Sequence, residues 1–346
     1  MQTIRIKRIV SGITPSGDGS LHIGNYLGAV RQFIEIARDN DCFLFVADMH
    51  ALTTVQNRRK LEENIQTLIL NELALLAGFG PSTSSGLLKN ITFYRQSEIG
   101  VHGELQSYLN NVTPMGLLKR AHAYKDKLAN EVSEEEINLG LFNYPILMAA
   151  DILLYKPDLV PVGRDQKQHV EITRDIAERF NKTFKVDLFK LPEPLIPEQT
   201  AVILGTDGQR KMSKSLGNII SIFDDKELIR SQVNSCFTDP GRKHATDPGH
   251  VQGNMVFTYL DFFGDSGRVS EYKAAYLKGE VGDVELKNYL FESLMKFFAR
   301  AREKYNEYKK HPEQIKQILD DGQKKVRQTA AEMMDQVRSA VGMSRI

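Results

Sequence analysis

Ser11-Gly12-Ile13-Thr14-Pro15-Ser16-Gly17-Asp18-Gly19-Ser20-Leu21-His22-Ile23-Gly24-Asn25-Tyr26-Leu27-Gly28 is the stretch on which the fold reading turns. An apolar run, Ile4 to Val10, precedes it. After it Leu27, Val30, Ile34 and Ala37 recur at three- and four-residue intervals, as on one face of a helix. The sequence therefore predicts a strand, a Gly-rich turn and a helix in succession. Small residues let a polyanion approach the backbone, and the helix N-terminus offers free N–H groups and the positive end of its dipole. His22 and Asn25 add side-chain donors, so the turn reads as a phosphate site. A plain strand-to-helix turn with a capping Asn and a packed His is the bland alternative. The segment contains neither GxGxxG nor GxxxxGK[ST].

Outward from this turn, Cys42 to Ala47, Ile91 to Tyr94 and Leu159 to Val162 are short apolar runs of the kind that form buried parallel strands. Helical stripes separate them: Leu61, Ile65, Leu68, Glu72 and Leu76, with one polar break, and Val170, Thr173, Ala177 and Phe180. The alternation predicts an α/β, Rossmann-like, doubly wound parallel sheet over residues 1–223, with a helical insertion at about 100–140 and a ligand site beyond the carboxyl ends of the strands. From Asp224 strand-like runs cease, which predicts a helical domain over 224–346. Its stripes are Leu286, Leu290, Leu294, Phe297 and Val326, Ala330, Met333, Val337, with breaks expected near His311-Pro312 and Gly322. Asp239 to Gly253 reads as a long loop at the junction, expected to be mobile.

The composition excludes several classes. Of 346 residues, 41% are hydrophobic and 26% charged, as in an ordinary globular protein. Forty-five Lys and Arg against 44 Asp and Glu leave +1, so no global basic field announces a nucleic acid. No apolar run approaches the roughly 20 residues of a membrane span, and the N-terminus has no apolar leader, so the expectation is a cytoplasmic protein with no membrane partner. Cys42 and Cys236 lack CxxC partners, so cysteine builds no zinc or iron-sulfur site; no protein-bound metal is expected.

A second segment, Gly205-Thr206-Asp207-Gly208-Gln209-Arg210-Lys211-Met212-Ser213-Lys214-Ser215-Leu216-Gly217-Asn218, sets lysines three apart among hydroxyls after flexible residues. Such a loop can close over a triphosphate and reopen when pyrophosphate leaves. HIGN at 22–25 and KMSKS at 211–215 resemble the HIGH and KMSKS signatures of class I aminoacyl-tRNA synthetases. Within that class, GNYLGA (24–29), Asp48-Met49-His50-Ala51, YPILMAADILLY (144–155) and VPVGRDQKQH (160–169) resemble the tryptophanyl branch.

The resemblance implies ATP-dependent activation of L-tryptophan to its adenylate, with release of pyrophosphate and transfer to the 3′ end of tRNA(Trp). ATP enters as substrate with Mg2+, and the enzyme is expected to be a homodimer. Carried across residue by residue, it places Thr14, Pro15, Ser16, Gly24, Asn25, Gly163, Arg164, Asp165, Val202, Lys211, Met212, Ser213, Lys214 and Ser215 at ATP. It makes His22, Asn25, Lys211, Ser213, Lys214 and Ser215 the catalytic set, with His22 a hydrogen-bond donor to phosphate rather than a general base. Tyr144 and Gln166 would hold the α-amino group, Met148, Val160 and Val162 would wall the side-chain pocket, and Asp151 would accept from the indole N–H.

That last pairing is chemically apt. An indole N–H only donates and a carboxylate only accepts, and an unpaired buried acceptor costs about 1–3 kcal/mol, which rejects phenylalanine. Tyrosine also donates, so pocket size must exclude it. His50 and His169 sit in matching segments, where a packed or capping role fits as well. Thr14 stands where the family commonly has Gln, Arg164 where it has Glu, and Gly17 to Ser20 lengthen the turn. For tRNA the basic clusters are Lys119-Arg120 with His122, Lys125 and Lys127, then Lys309-Lys310, and Lys324-Lys325 with Arg327. Leu105 to Ala123, whose apolar residues follow no strong core pattern, is the expected subunit interface. A tyrosine-specific synthetase, an adenylyltransferase that uses no tRNA, and a regulatory paralogue binding tryptophan or tRNA remain as alternatives; the intact KMSKS counts against the last.

Overall fold

The computed structural model describes residues 6–80, 90–121, 138–196 and 203–344, apart from Ala245 and the side chain of Asp165. Strands β1 (Arg8–Ile13), β2 (Asp41–Val46), β3 (Ile91–Arg95), β4 (Leu159–Pro161) and β5 (Glu193–Leu195) form one wholly parallel sheet in the order β3-β2-β1-β4-β5. Alternate side chains enter opposite cores, as a sheet covered on both faces requires. Ile9, Leu44, Val46, Ile91 and Phe93 point into one cluster, and Val10, Phe43, Phe45 and Tyr94 into the other. Strand order reverses between β1 and β4, and ligands of such sheets bind in the crevice where that reversal opens.

The predicted first helix is α1, residues 23–36, which passes through a π-helical turn at Tyr26–Val30. Next come α2 (Arg58–Phe79), capped by the Asn57 side chain accepting from the Lys60 N–H, α3 (His102–Asn110), α4 (Leu139–Leu153) and α5 (Lys167–Phe184). The remainder is helical: α6 (Lys226–Asn234), α7 (Met255–Phe263), α8 (Ser266–Lys278), α9 (Asp283–Phe297), α10 (Ala299–Lys310) and α11 (Pro312–Ala340). None of the described helices is long and apolar enough to cross a membrane.

These later helices share the core of the sheet. α10 lies along α2, and Tyr26, Phe79, Phe263, Phe297 and Phe298 form an aromatic cluster with ring centroids 5.0–6.4 Å apart. Glu72, the polar break in the α2 stripe, stays fully buried with neither carboxylate oxygen hydrogen-bonded, and burial pushes its pKa up to about 8.

Several local expectations change. The helix does not break at Gly322; α11 runs straight through it. A Cβ at that position would sit 1.9 Å from the Phe93 carbonyl oxygen, so glycine is there for close approach to β3. Ile315 and Leu319 pack with one core cluster and Val326 and Ala330 with the other, which makes α11 a helix laid across the edge strand. β5 was not foreseen because Glu193-Pro194-Leu195 has no apolar run; as an edge strand it tolerates a proline. The apolar residues of Leu105 to Ala121 do follow a core pattern: Leu105, Leu109, Leu117 and Leu118 are buried within the chain, and Met115 is exposed. The 239–253 loop is tied internally, with Asp239 accepting from the Gly241 and His250 N–H groups and Asp247 from those of Lys243 and His244.

Candidate active site

The end of β1 and the end of β4 open onto a cavity of about 600 Å³. Ser11 Oγ donates to the Pro161 carbonyl (3.0 Å) and so binds the two strand ends together. Every residue expected to hold tryptophan, namely Tyr144, Met148, Asp151, Val160, Val162 and Gln166, lines this cavity, together with Thr14, Ser16 and Gly163. A second cavity of about 330 Å³ adjoins it, sharing Ile13, Thr14 and Ser16 and lined further by His22, Asn25, Met212, Ser213, Lys214 and Ser215.

The two signatures, about 190 residues apart in sequence, meet there. The Ile23 N–H donates to the Ile220 carbonyl (3.0 Å), beside an antiparallel bridge between His22 and Ser221. A Cβ on Gly24 would come within 3.0 Å of the His22 ring and 3.1 Å of Met212 Sδ. A side chain there would push on the buried loop methionine, so glycine lets it sit close to that ring. Asn25 Oδ1 accepts from the His22 N–H (3.0 Å) and fixes the helix start.

Lys214 reaches across to donate to Asp18 Oδ1 and the Ser20 carbonyl, so the longer turn serves as its resting partner. Partial burial raises the Asp18 pKa, but the Lys214 ammonium and the Ser20 N–H and hydroxyl outweigh this and hold it at about 2. Desolvation first, then the charges of Lys214 and Lys211, lower the His22 pKa to about 4 against an opposing pull from Asp18. At neutral pH His22 is therefore an uncharged imidazole, and its buried Nδ1 has no hydrogen-bond partner. This is a hydrogen-bonding group, not a base poised near pH 7.

Not every expected residue lines a cavity. Pro15 is buried and, like Gly24, lines neither cavity, Lys211 and Arg164 are exposed, and Val202 and the Asp165 side chain lie outside the described residues. Among the described residues no group of three or more His, Cys, Asp or Glu is arranged to hold a metal ion. Of the basic clusters, Lys325 is bound to Asp41 and Thr92, and Arg327 to the Glu98 carbonyl, so these two serve the fold. His122, Lys125 and Lys127 lie outside the described residues.

The surroundings of Asp151 carry what sequence reading missed. The residue is 1% exposed; His50 Nε2 lies 2.7 Å from Oδ2, and Gln96 Nε2 donates to Oδ1 at 2.6 Å. His50 is thus a partner of the carboxylate rather than a packed ring, while His169 faces the Tyr144 hydroxyl at 2.5 Å. Asn218 shapes the lysine loop: its Oδ1 accepts from the Ser213 N–H (2.8 Å) and its amide donates to Asp207 (3.0 Å). Gln96 carried no signal, lying in an unremarked turn; Asn218 stood within the quoted loop but with no role attached.

Comparison with known proteins leads to the family that the two signatures resemble. The family described as tRNA synthetases class I (W and Y) matches residues 4–299. A tryptophan-tRNA ligase of Fusobacterium nucleatum is 43% identical over 338 residues, covering 98% of each chain. One from Campylobacter jejuni is 41% identical over 336 residues, covering 97% of this chain and all of its own. The crystal structure of tryptophanyl-tRNA synthetase from Campylobacter jejuni complexed with ADP and tryptophan superposes with a TM-score of 0.84 at 40% identity, covering 97% and 99% of the two chains. On the meeting of its two nucleotide signatures and on likeness along nearly its whole length, the chain belongs to the class I tRNA synthetases of the tryptophan and tyrosine family.

Proposed function

We propose that the chain is a tryptophan-tRNA ligase: it joins L-tryptophan to ATP as tryptophanyl-adenylate, releases pyrophosphate, and passes the aminoacyl group to tRNA(Trp). The observation that carries this reading is the pair of adjoining cavities, one with a buried carboxylate among apolar walls, the other flanked by His22 and Lys214. Near-complete coverage of tryptophan-specific relatives supports the choice of amino acid.

The substrate carboxylate is itself the nucleophile, so the protein need supply no attacking group. Catalysis is positioning and charge stabilisation. Tyr144 and Gln166 orient the α-amino group, Asp151 takes the indole N–H, and Met148, Val160 and Val162 close on the ring. Thr14, Ser16, Gly24, Asn25, Gly163 and Met212 seat the nucleotide, with Pro15 shaping the turn and Arg164, Asp165 and Val202 assigned to the ribose and base. Lys211, Ser213, Lys214 and Ser215 meet the charge that gathers on the departing pyrophosphate, and His22 donates to phosphate. Mg2+ travels with ATP and neutralises that leaving group. Residues 224–346 form the unit that binds the tRNA anticodon; Lys119-Arg120, outside that unit, and Lys309-Lys310 and Lys324 within it meet the tRNA backbone, and two copies of the chain act together in the cytoplasm.

Pyrophosphate exchange tests the reading. Exchange should depend on tryptophan and ATP together and be absent with tyrosine; exchange with tyrosine alone would overturn it. A second expectation follows from the Lys214 resting contact. Asp18→Asn removes the carboxylate that competes with ATP for this lysine. The pair is partly exposed and is worth about 0.2–1 kcal/mol, so the KM for ATP should fall by roughly 1.4- to fivefold in the exchange assay. An unchanged or higher KM would mean that Asp18 does not compete with the nucleotide.

A further inference from the structure

We infer that Gln96 is a positioning residue for tryptophan selection, its side-chain amide fixing the Asp151 carboxylate so that the acceptor capacity left over faces the indole N–H. The inference rests on the reading of Asp151 as the indole acceptor.

Gln96 is 0% exposed and sits in the single turn that follows β3. Its Oε1 accepts from the Met49 backbone N–H at 3.0 Å. A backbone N–H only donates, so the amide orientation is settled: the NH2 group faces Asp151, where Nε2 donates to Oδ1 at 2.6 Å. His50 Nε2 is at Oδ2, 2.7 Å away. The two oxygens are thus held from two different segments, which stops rotation of the carboxylate plane. A carboxylate offers about four lone-pair sites, so acceptor capacity remains for one more N–H from the cavity that Asp151 lines.

The donors are themselves clamped. Asp48, one residue before Met49, accepts from the Ser97 N–H (2.9 Å), the Ser97 hydroxyl (2.6 Å) and the Arg95 guanidinium (2.9 Å). One buried carboxylate thereby ties the turn carrying Gln96 to the turn carrying His50. On the far side Gln323 and Arg327 of α11 donate to the Glu98 carbonyl. The side-chain hydrogen bonds of Gln96 run to Met49 and Asp151, so its effect should fall on the amino acid alone.

The test uses pyrophosphate exchange with tryptophan and with its benzothiophene analogue, in which sulfur replaces the indole N–H and the bicyclic shape is kept. Wild-type enzyme should show a higher kcat/KM for tryptophan; a ratio near one would overturn the role of Asp151 itself, and the inference with it. In Gln96→Met the ratio should fall by about tenfold, the loss of one hydrogen bond to a charged group. That fall should come from a raised tryptophan KM, with the analogue and the KM for ATP unaltered. An unchanged ratio, or equal losses for tryptophan, analogue and ATP, would reduce Gln96 to a structural residue and overturn the inference.

Gln96→Glu adds a readout that a packing role would not move. As the neutral acid, Glu offers the same donor and acceptor, so the ratio should match wild type at low pH. It should fall as pH rises and two adjacent carboxylates repel. His50 and His102 face Asp151, and Tyr155 faces His102, in both proteins, so wild type measured over the same pH range is the control. A ratio independent of pH would count against the inference.

Discussion

Lys214→Ala is expected to slow pyrophosphate exchange by about 10²–10³-fold, the usual loss when one donor to a developing charge is removed, while leaving tryptophan affinity unchanged. Lys214 lines the smaller cavity and reaches Asp18 and Ser20 across it. It faces the phosphate side, on the opposite flank of Thr14 and Ser16 from Asp151. Its ammonium costs little to redirect, because it leaves one exposed carboxylate and one backbone carbonyl for a more highly charged group. The chain contains no tryptophan of its own, so the emission of added tryptophan measures affinity against a dark protein. Saturation at the same ligand concentration with a collapsed rate is the expected pair of results. A wild-type rate would remove Lys214 from the transition state, and an equal loss of affinity would make it a ground-state contact.

Glu72→Met should stabilise the fold, and by an amount that grows with pH. The carboxyl is fully buried without a partner, and its pKa rises from 4.5 to about 8 on folding. The folded state therefore favours the protonated acid. Below pH 4.5 both states are protonated and ionisation costs nothing. As pH climbs toward 8 the unfolded chain loses its proton while the folded chain keeps it, and stability drains away at about 1.4 kcal/mol per pH unit. At pH 7 the variant should gain at least about 3 kcal/mol, with a further 1–3 kcal/mol or so from removing an unsatisfied polar group. Denaturant unfolding at pH 5, 7 and 9 measures this. A difference between variant and wild type that is constant with pH would show that Glu72 does not ionise on unfolding.

Much of the sheet could be read from the chain because buried parallel strands announce themselves as unbroken apolar runs: Cys42 to Ala47 and Ile91 to Tyr94 stand within a residue or two of β2 and β3. The two signatures stood out because their residues are few and unusual, and the structure brings His22, Asn25 and Met212 to Ser215 to one cavity. What escaped reading depends on contacts distant in sequence. Gly322 looks like a helix breaker until the Phe93 carbonyl is known to lie against it. Gln96 looks like any surface glutamine until Asp151, 55 residues away, is seen at its amide. Asp18 gains meaning only from Lys214, 196 residues on. Lys325 and Arg327 look like solvent-facing charge, yet each closes a contact more than 200 residues away.

The crossing of β3 by α11 sets a timetable for synthesis. Lys325 and its partner Thr92 are 233 residues apart, and ribosomes add about 5–20 residues each second. The rim of the sheet is therefore made roughly ten to fifty seconds before the segment that will cover it. Through that interval the nascent polypeptide presents a row of unsatisfied amides and carbonyls of the sort that recruits stray strands.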